Sequence, residues 1–207
     1  MIKLTKTRKI ILCCTSFAFI VIIFFLSIFS SCYNTPLSIL HTTNDIVPTN
    51  LRQKVKILNY NMFLRSNPVP ADPGTDNDWK NERLDLFIAT KLANYDILLL
   101  QEVWTPMNEG RKEKLMQAAQ EQGFPYYVRS GCLGKLTDAM LLILSRHPIV
   151  SAEEFTYTQA VGDEVMATKG VLGAEIYLHG HKQCRVDVFT THLQSGESNN
   201  GGNEIRR

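Results

Sequence analysis

A chain of 207 residues, 44% hydrophobic and 20% charged, has ordinary globular composition, which excludes collagen-like, disulfide-dense and wholly disordered classes. The formal net charge is +2, but Lys3, Lys6, Arg8 and Lys9 all precede an uncharged stretch from Ile10 to Cys32, and no acid occurs before Asp45. Without those four, the body of the chain is slightly acidic, so binding of nucleic acid through bulk charge loses its main support.

The uncharged stretch, IILCCTSFAFIVIIFFLSIFSSC, is about the ~20 residues that cross a bilayer and longer than the ~7–15 of a signal-peptide core. It reads as an export signal, cleaved near Ser30, Ser31 or Cys32 or retained as an anchor. Cys32 as a lipidation site is disfavoured, because FSSC is a poor lipobox. A buried helix of a soluble core is also disfavoured, because such helices seldom run this long without a polar face. The basic flank places the rest of the chain outside the cytosol, secreted or membrane-anchored. Residues 1–32 are therefore expected as signal peptide or signal anchor, 33–53 as a Thr-, Asn- and Pro-rich linker, and 54–207 as the folded domain.

Within that domain, KVKILNYN (54–61) alternates as a strand, with Ile57 and Asn59 on one face and Leu58 and Tyr60 on the other. A Pro-rich loop follows. Asp78 is expected to cap a helix from Trp79, whose Leu84, Phe87, Ile88, Lys91 and Leu92 form one face. DILLLQEVW (96–104) is continuously apolar, as in a strand buried on both sides, until polar residues end it. A second helix is expected from Gly110 to Gln122. Three β-type runs come after it, AMLLILS (139–145), KGVLGAEIYL (169–178) and CRVDVFTTHLQ (184–194), with HGHK (179–182) as a hairpin turn between the last two. The order points to a mixed, layered α/β domain. Cys13 and Cys14 lie in the apolar stretch. Cys132 with Cys184 is the one pairing considered, and no Cys/His spacing suggests zinc.

Polar residues that end apolar strands carry the chemistry: Asn61 on the first, Gln101 and Glu102 on the second, and Thr191, His192 and Gln194 on the last. Ligands of α/β sheets collect at such ends. One Glu with one Asn is a sufficient protein contribution to Mg²⁺, which prefers oxygen donors and keeps several waters. A lone Glu there is more often a cap or an ion-pair partner. His147, before Pro148, reads better as a surface or hydrogen-bonded residue, His179 and His181 as turn residues, and Trp79 and Trp104 as packing.

Taken in order, LNYNMF, DILLLQEVW, LLILSRHPI and VFTTHLQS resemble the first-half signatures of the endonuclease/exonuclease/phosphatase (deoxyribonuclease I-like) superfamily. KGVLGAEI before VFTTHLQS is similar to the neutral sphingomyelinase branch. The resemblance spans residues 54–207 and implies a mixed two-sheet α/β sandwich. It implies Glu102 as the principal Mg²⁺ ligand, Asn61 as a second, direct or through water, and His192 as the histidine on the scissile phosphate. Lys169 is implied for phosphate or headgroup contact, beside the plainer reading of an exposed strand-start lysine. Asp138 stands where relatives often carry a Ser-Gly pair, a departure expected to affect only the local loop.

The resemblance further implies a second half after THLQ, with an Asp-x-Asn pair and a terminal Asp-His pair whose His activates water. The 207 residues contain neither. The sequence thus reads as the first half of a catalytic domain, inactive by itself. The expected function of the complete gene product is Mg²⁺-dependent hydrolysis of sphingomyelin, or a related membrane phospholipid, to ceramide and phosphocholine. A secreted deoxyribonuclease-like nuclease and an inactive membrane-anchored remnant are the alternatives.

Overall fold

The computed structural model describes residues 54–65, 78–103, 110–131, 135 and 137–194. The expected signal helix and linker, as well as Trp104 and Cys132, lie outside them. Among the described residues no helix is long and apolar enough to cross a membrane, and Cys184 is a free thiol.

Among the described residues seven strands and two α-helices follow one another as β1 (Ile57–Leu64), α1 (Lys80–Thr90), β2 (Ile97–Val103), α2 (Arg111–Glu121), β3 (Tyr126–Arg129), β4 (Leu142–Ser145), β5 (Ile149–Thr156), β6 (Gly170–Tyr177) and β7 (Arg185–Thr191). One sheet has the order β1-β2-β4-β3 and the other β5-β6-β7. β1 and β2 are parallel, Asn61 opposite Gln101, with α1 in the crossover that parallel strands require. β4 runs antiparallel to β2 and β3. The second sheet is an antiparallel meander. The expected α/β class with two sheets is the architecture found.

Alternation along β2 explains its uniform burial. Leu98 and Leu100 join Leu58 and Met62 of β1 and Leu84, Phe87, Leu115 and Ala119 of the helices in one core. Ile97 and Leu99 point the other way and meet Leu172, Ala174, Ile176 and Val188 of the second sheet. Both faces of β2 are covered, so each side chain can be apolar. Each fully buried Leu or Ile contributes about 1.5–3 kcal/mol relative to exposure.

Two expectations change. The first helix begins at Lys80, and Asp78 does not cap it: Trp79 holds the cap position in a left-handed conformation (φ 55°) with no side-chain cap, while Asp78 pairs with Lys80 at 3.2 Å. The sequence reading also passed over β3 and β5. Both are edge strands, and the outward positions of β5, Ser151, Glu153 and Phe155, are exposed, so neither carries the apolar run of an interior strand.

Candidate active site

β2 ends in a twist that aims its last carboxylate. By strict alternation Glu102 would point toward the helices with Leu98 and Leu100. Its φ of 55° breaks the alternation, and Val103 takes the helix-side position instead. Next to it the register with β1 slips between Asn61 and Leu64, a bulge of the kind that re-aims side chains beside active sites. A left-handed residue with a Cβ costs of order 1–3 kcal/mol and persists where surrounding structure enforces it.

Glu102 is thereby placed between the two sheets' contributions. Asn61 Nδ2 donates to Glu102 Oε1 at 2.8 Å, and His192 Nε2 lies 3.4 Å from the same oxygen. Glu102 is 8% exposed and Asn61 is open to solvent. Oε2 of Glu102 takes no hydrogen bond from a described residue. Asn61 Oδ1 accepts the N–H of Phe63 at 2.9 Å, and Arg83 of α1 donates to the carbonyls of Met62 and Phe63 at 2.7 and 2.8 Å, which pins the end of β1.

The fourth residue singled out in the sequence, Lys169, is buried rather than exposed (5%), so the plainer reading of it does not hold. Its Nζ donates to the carbonyl of Leu193 at 3.0 Å, the residue after His192, so the ammonium braces the segment that presents the imidazole. Two supports were not foreseen. Gln101 Nε2 donates to Asn59 Oδ1 and Thr190 Oγ1, each at 2.6 Å, and approaches the Leu99 carbonyl at 3.3 Å. It joins the two sheets one residue before Glu102. Inward alternation of Val186, Val188 and Thr190 along β7 was the signal available for Thr190. Arg83, in the middle of an amphipathic helix, carried none.

Among the described residues no group of three or more His, Cys, Asp or Glu is placed to hold a metal. The carboxylate of the largely buried Glu102 beside a solvent-open amide is a hard, oxygen-only donor set that leaves room for water. That fits Mg²⁺, which surrenders its waters reluctantly.

His147 and His179 stack edge-to-face with ring centroids 4.9 Å apart, beside the turn after β6. His179 lies in that turn and His147 is hydrogen-bonded, accepting the His179 N–H on Nδ1 at 3.4 Å, each as read from the sequence. Burial, with His179 beside it, holds the His147 imidazole below its ordinary pKa.

No family model matches the chain. A sphingomyelinase of Dictyostelium discoideum is 32% identical to it over 114 residues, 50% of this chain and 25% of that protein. Solved structures share its fold, two of them as follows. Sphingomyelinase C from Streptomyces griseocarneus is 24% identical with a TM-score of 0.56, over 70% of this chain and 50% of that one. Beta toxin from Staphylococcus aureus, a double mutant with bound magnesium ions, is 20% identical with a TM-score of 0.59, over 74% and 54%. Over those 114 residues the chain is similar in sequence to a sphingomyelinase, and it shares the fold of these solved structures. The resemblance read from its motifs is borne out, and the chain spans about half the length of these solved structures and a quarter of the curated relative.

Proposed function

We propose that this sphingomyelinase-like chain contributes Glu102, Asn61 and His192 to the active site of a Mg²⁺-dependent phosphodiesterase that hydrolyses sphingomyelin to ceramide and phosphocholine. The observation that carries the reading is Glu102 itself, a buried carboxylate in a left-handed conformation, flanked by Asn61 from one side and His192 from the other sheet. Sphingomyelinase relatives in sequence and in fold support the substrate class.

Glu102 would hold Mg²⁺, with Asn61 orienting the carboxylate and offering its amide oxygen directly or through water. When bound, the ion neutralises charge that builds on the phosphate. The chain's own residues supply the rest. His192 presents an N–H donor beside Glu102, placed to hydrogen-bond a phosphate oxygen. Lys169, through the Leu193 carbonyl, braces the segment that presents His192 and brings positive charge to it. The uncharged stretch at 10–32, with its basic flank, favours delivery outside the cytosol, where a membrane lipid substrate is in reach.

Phosphocholine release from sphingomyelin vesicles tests the reading, on the protein translated from its complete reading frame, with DNA as the competing substrate. Glu102→Gln should lower turnover on the order of a thousandfold, several kcal/mol of transition-state stabilisation. Asn61→Ala should be milder, because an amide carries no charge to lose. Undiminished turnover of Glu102→Gln, or of the parent protein in a chelator, would overturn the assignment, and cleavage of DNA alone would overturn the substrate.

A further inference from the structure

Two turns flank Glu102, and each is gripped by a side chain in the same way. On the β1 side Asn61 Oδ1 accepts the N–H of Phe63, which has φ 51°. On the β4 side Asp138 Oδ1 accepts the N–H of Met140 at 2.9 Å, and Met140 has φ 59°. An Asn or Asp oxygen that takes the N–H two residues on is an Asx-turn, and here each turn holds a residue with a Cβ in a conformation it otherwise disfavours.

The second turn reaches the site. Met140's carbonyl accepts the N–H of Val103 at 3.1 Å, and Val103 directly follows Glu102. The peptide leaving Glu102, whose geometry goes with its φ of 55°, is thus anchored on Met140, and Met140 on Asp138.

Asp138 is a costly choice for this task. It is 3% exposed, and burial raises its carboxyl to about 7, against the opposing pull of Lys112 on α2, the Met140 N–H and Arg129 on β3, while Glu154 on β5 raises it further. A serine could cap the same N–H without burying an ionisable group. The carboxylate offers the strongest acceptor available to the turn.

We propose that Asp138 is a positioning residue for Glu102: through the Met140 turn it fixes the backbone that directs the Glu102 carboxylate toward the cation. The inference rests on Glu102 as the Mg²⁺ ligand and extends that reading to a residue in the loop before β4.

Calorimetric titration of the full chain with Mg²⁺ reads the effect without catalysis. Asp138→Ala, which removes the acceptor, should raise the Mg²⁺ dissociation constant ~10–100-fold, the scale of lost outer-shell support. Asp138→Asn keeps an acceptor oxygen and should stay within about threefold of the parent chain on that scale. Ser130→Ala is the comparison for mere loosening: Ser130 is buried and its Oγ accepts the Leu141 N–H at 3.0 Å in the neighbouring strand start, with no bond to Val103. It should bind Mg²⁺ as the parent does. Parent-like binding by folded Asp138→Ala would overturn the proposal, as would equal weakening in Ser130→Ala. If Asp138→Ala does not fold, a tenfold loss in Asp138→Asn would overturn it instead, and retained binding there would uphold it. Failure of the parent chain to bind Mg²⁺, or equal binding by Glu102→Gln, would strike the metal reading itself.

Discussion

Replacing Asp138 by Asn should change how stability depends on pH, and the sign follows from burial. The carboxyl ordinarily titrates at 3.8 and is carried to about 7 in the folded chain. Between those values the folded state holds a proton that the unfolded state has released, so folding stability is greatest at the acid end and falls as pH rises toward 7. Above about pH 7 both states are ionised and the loss is complete. At ~1.4 kcal/mol for each pH unit, the window sets a ceiling of about 4 kcal/mol. The group is almost fully buried, so solvent screening reduces this little, while movement of Lys112 toward the ionised carboxylate would reduce it more. Asn does not titrate. Urea unfolding of the parent chain and Asp138→Asn at pH 4.5, 6, 7 and 8 should therefore show the variant gaining on the parent by about 2–4 kcal/mol from the lowest pH to the highest. Parallel stability curves would mean that Asp138 is ionised throughout, and the account of its burial would be wrong.

Two further outcomes follow from packing. Gln101→Leu strands the buried Thr190 hydroxyl and should cost about 2–3 kcal/mol, but adding Thr190→Val should recover part of it, because removing both partners costs less than removing one. Strict additivity in urea unfolding would refute the coupling. At Gly170 a Cβ would lie 2.1 Å from the Phe155 carbonyl oxygen, whereas at Gly173 it would meet the Phe189 ring at 2.8 Å. That ring is 57% exposed and free to swing, so Gly170→Ala should cost about 2 kcal/mol or more and Gly173→Ala about 1 or less. Thermal melts in the reverse order would refute the argument.

Much of the first sheet was legible because interior strands advertise themselves. ILLLQEV is apolar wherever burial requires it and polar only where the strand surfaces, which led to Gln101 and Glu102 together. The edges were silent: β5 carries Glu153 and Glu154 among its alternating residues, and β3 is four residues long. The three residues gathered at the site, Asn61, Glu102 and His192, were each visible as a strand-end polar group. What held them was not. Arg83 acts through backbone carbonyls that no periodicity encodes, and Asp138 acts through a turn whose left-handed residue is Met140, a type that gives no hint of positive φ. Asp138 had been expected to affect only its own loop, and two hydrogen bonds carry its influence to the peptide after Glu102.

The Gln101–Thr190 hydrogen bond has a consequence for how such a molecule can change. Apolar layers set the spacing between two sheets, but dispersion and burial are non-directional and tolerate sideways drift. A buried amide on a hydroxyl does not. One end sits next to Glu102 and the other two residues before His192, so it works as a dowel across the sandwich. A slip of one strand residue, about 3.3 Å, is as large as the 3.4 Å between His192 and Glu102, and a sideways slip of that size would take the pair out of hydrogen-bond reach. The interior residues Leu99, Leu172 and Ile176 are thereby eased of keeping catalytic alignment, and can be exchanged for others of like volume as long as this polar joint remains.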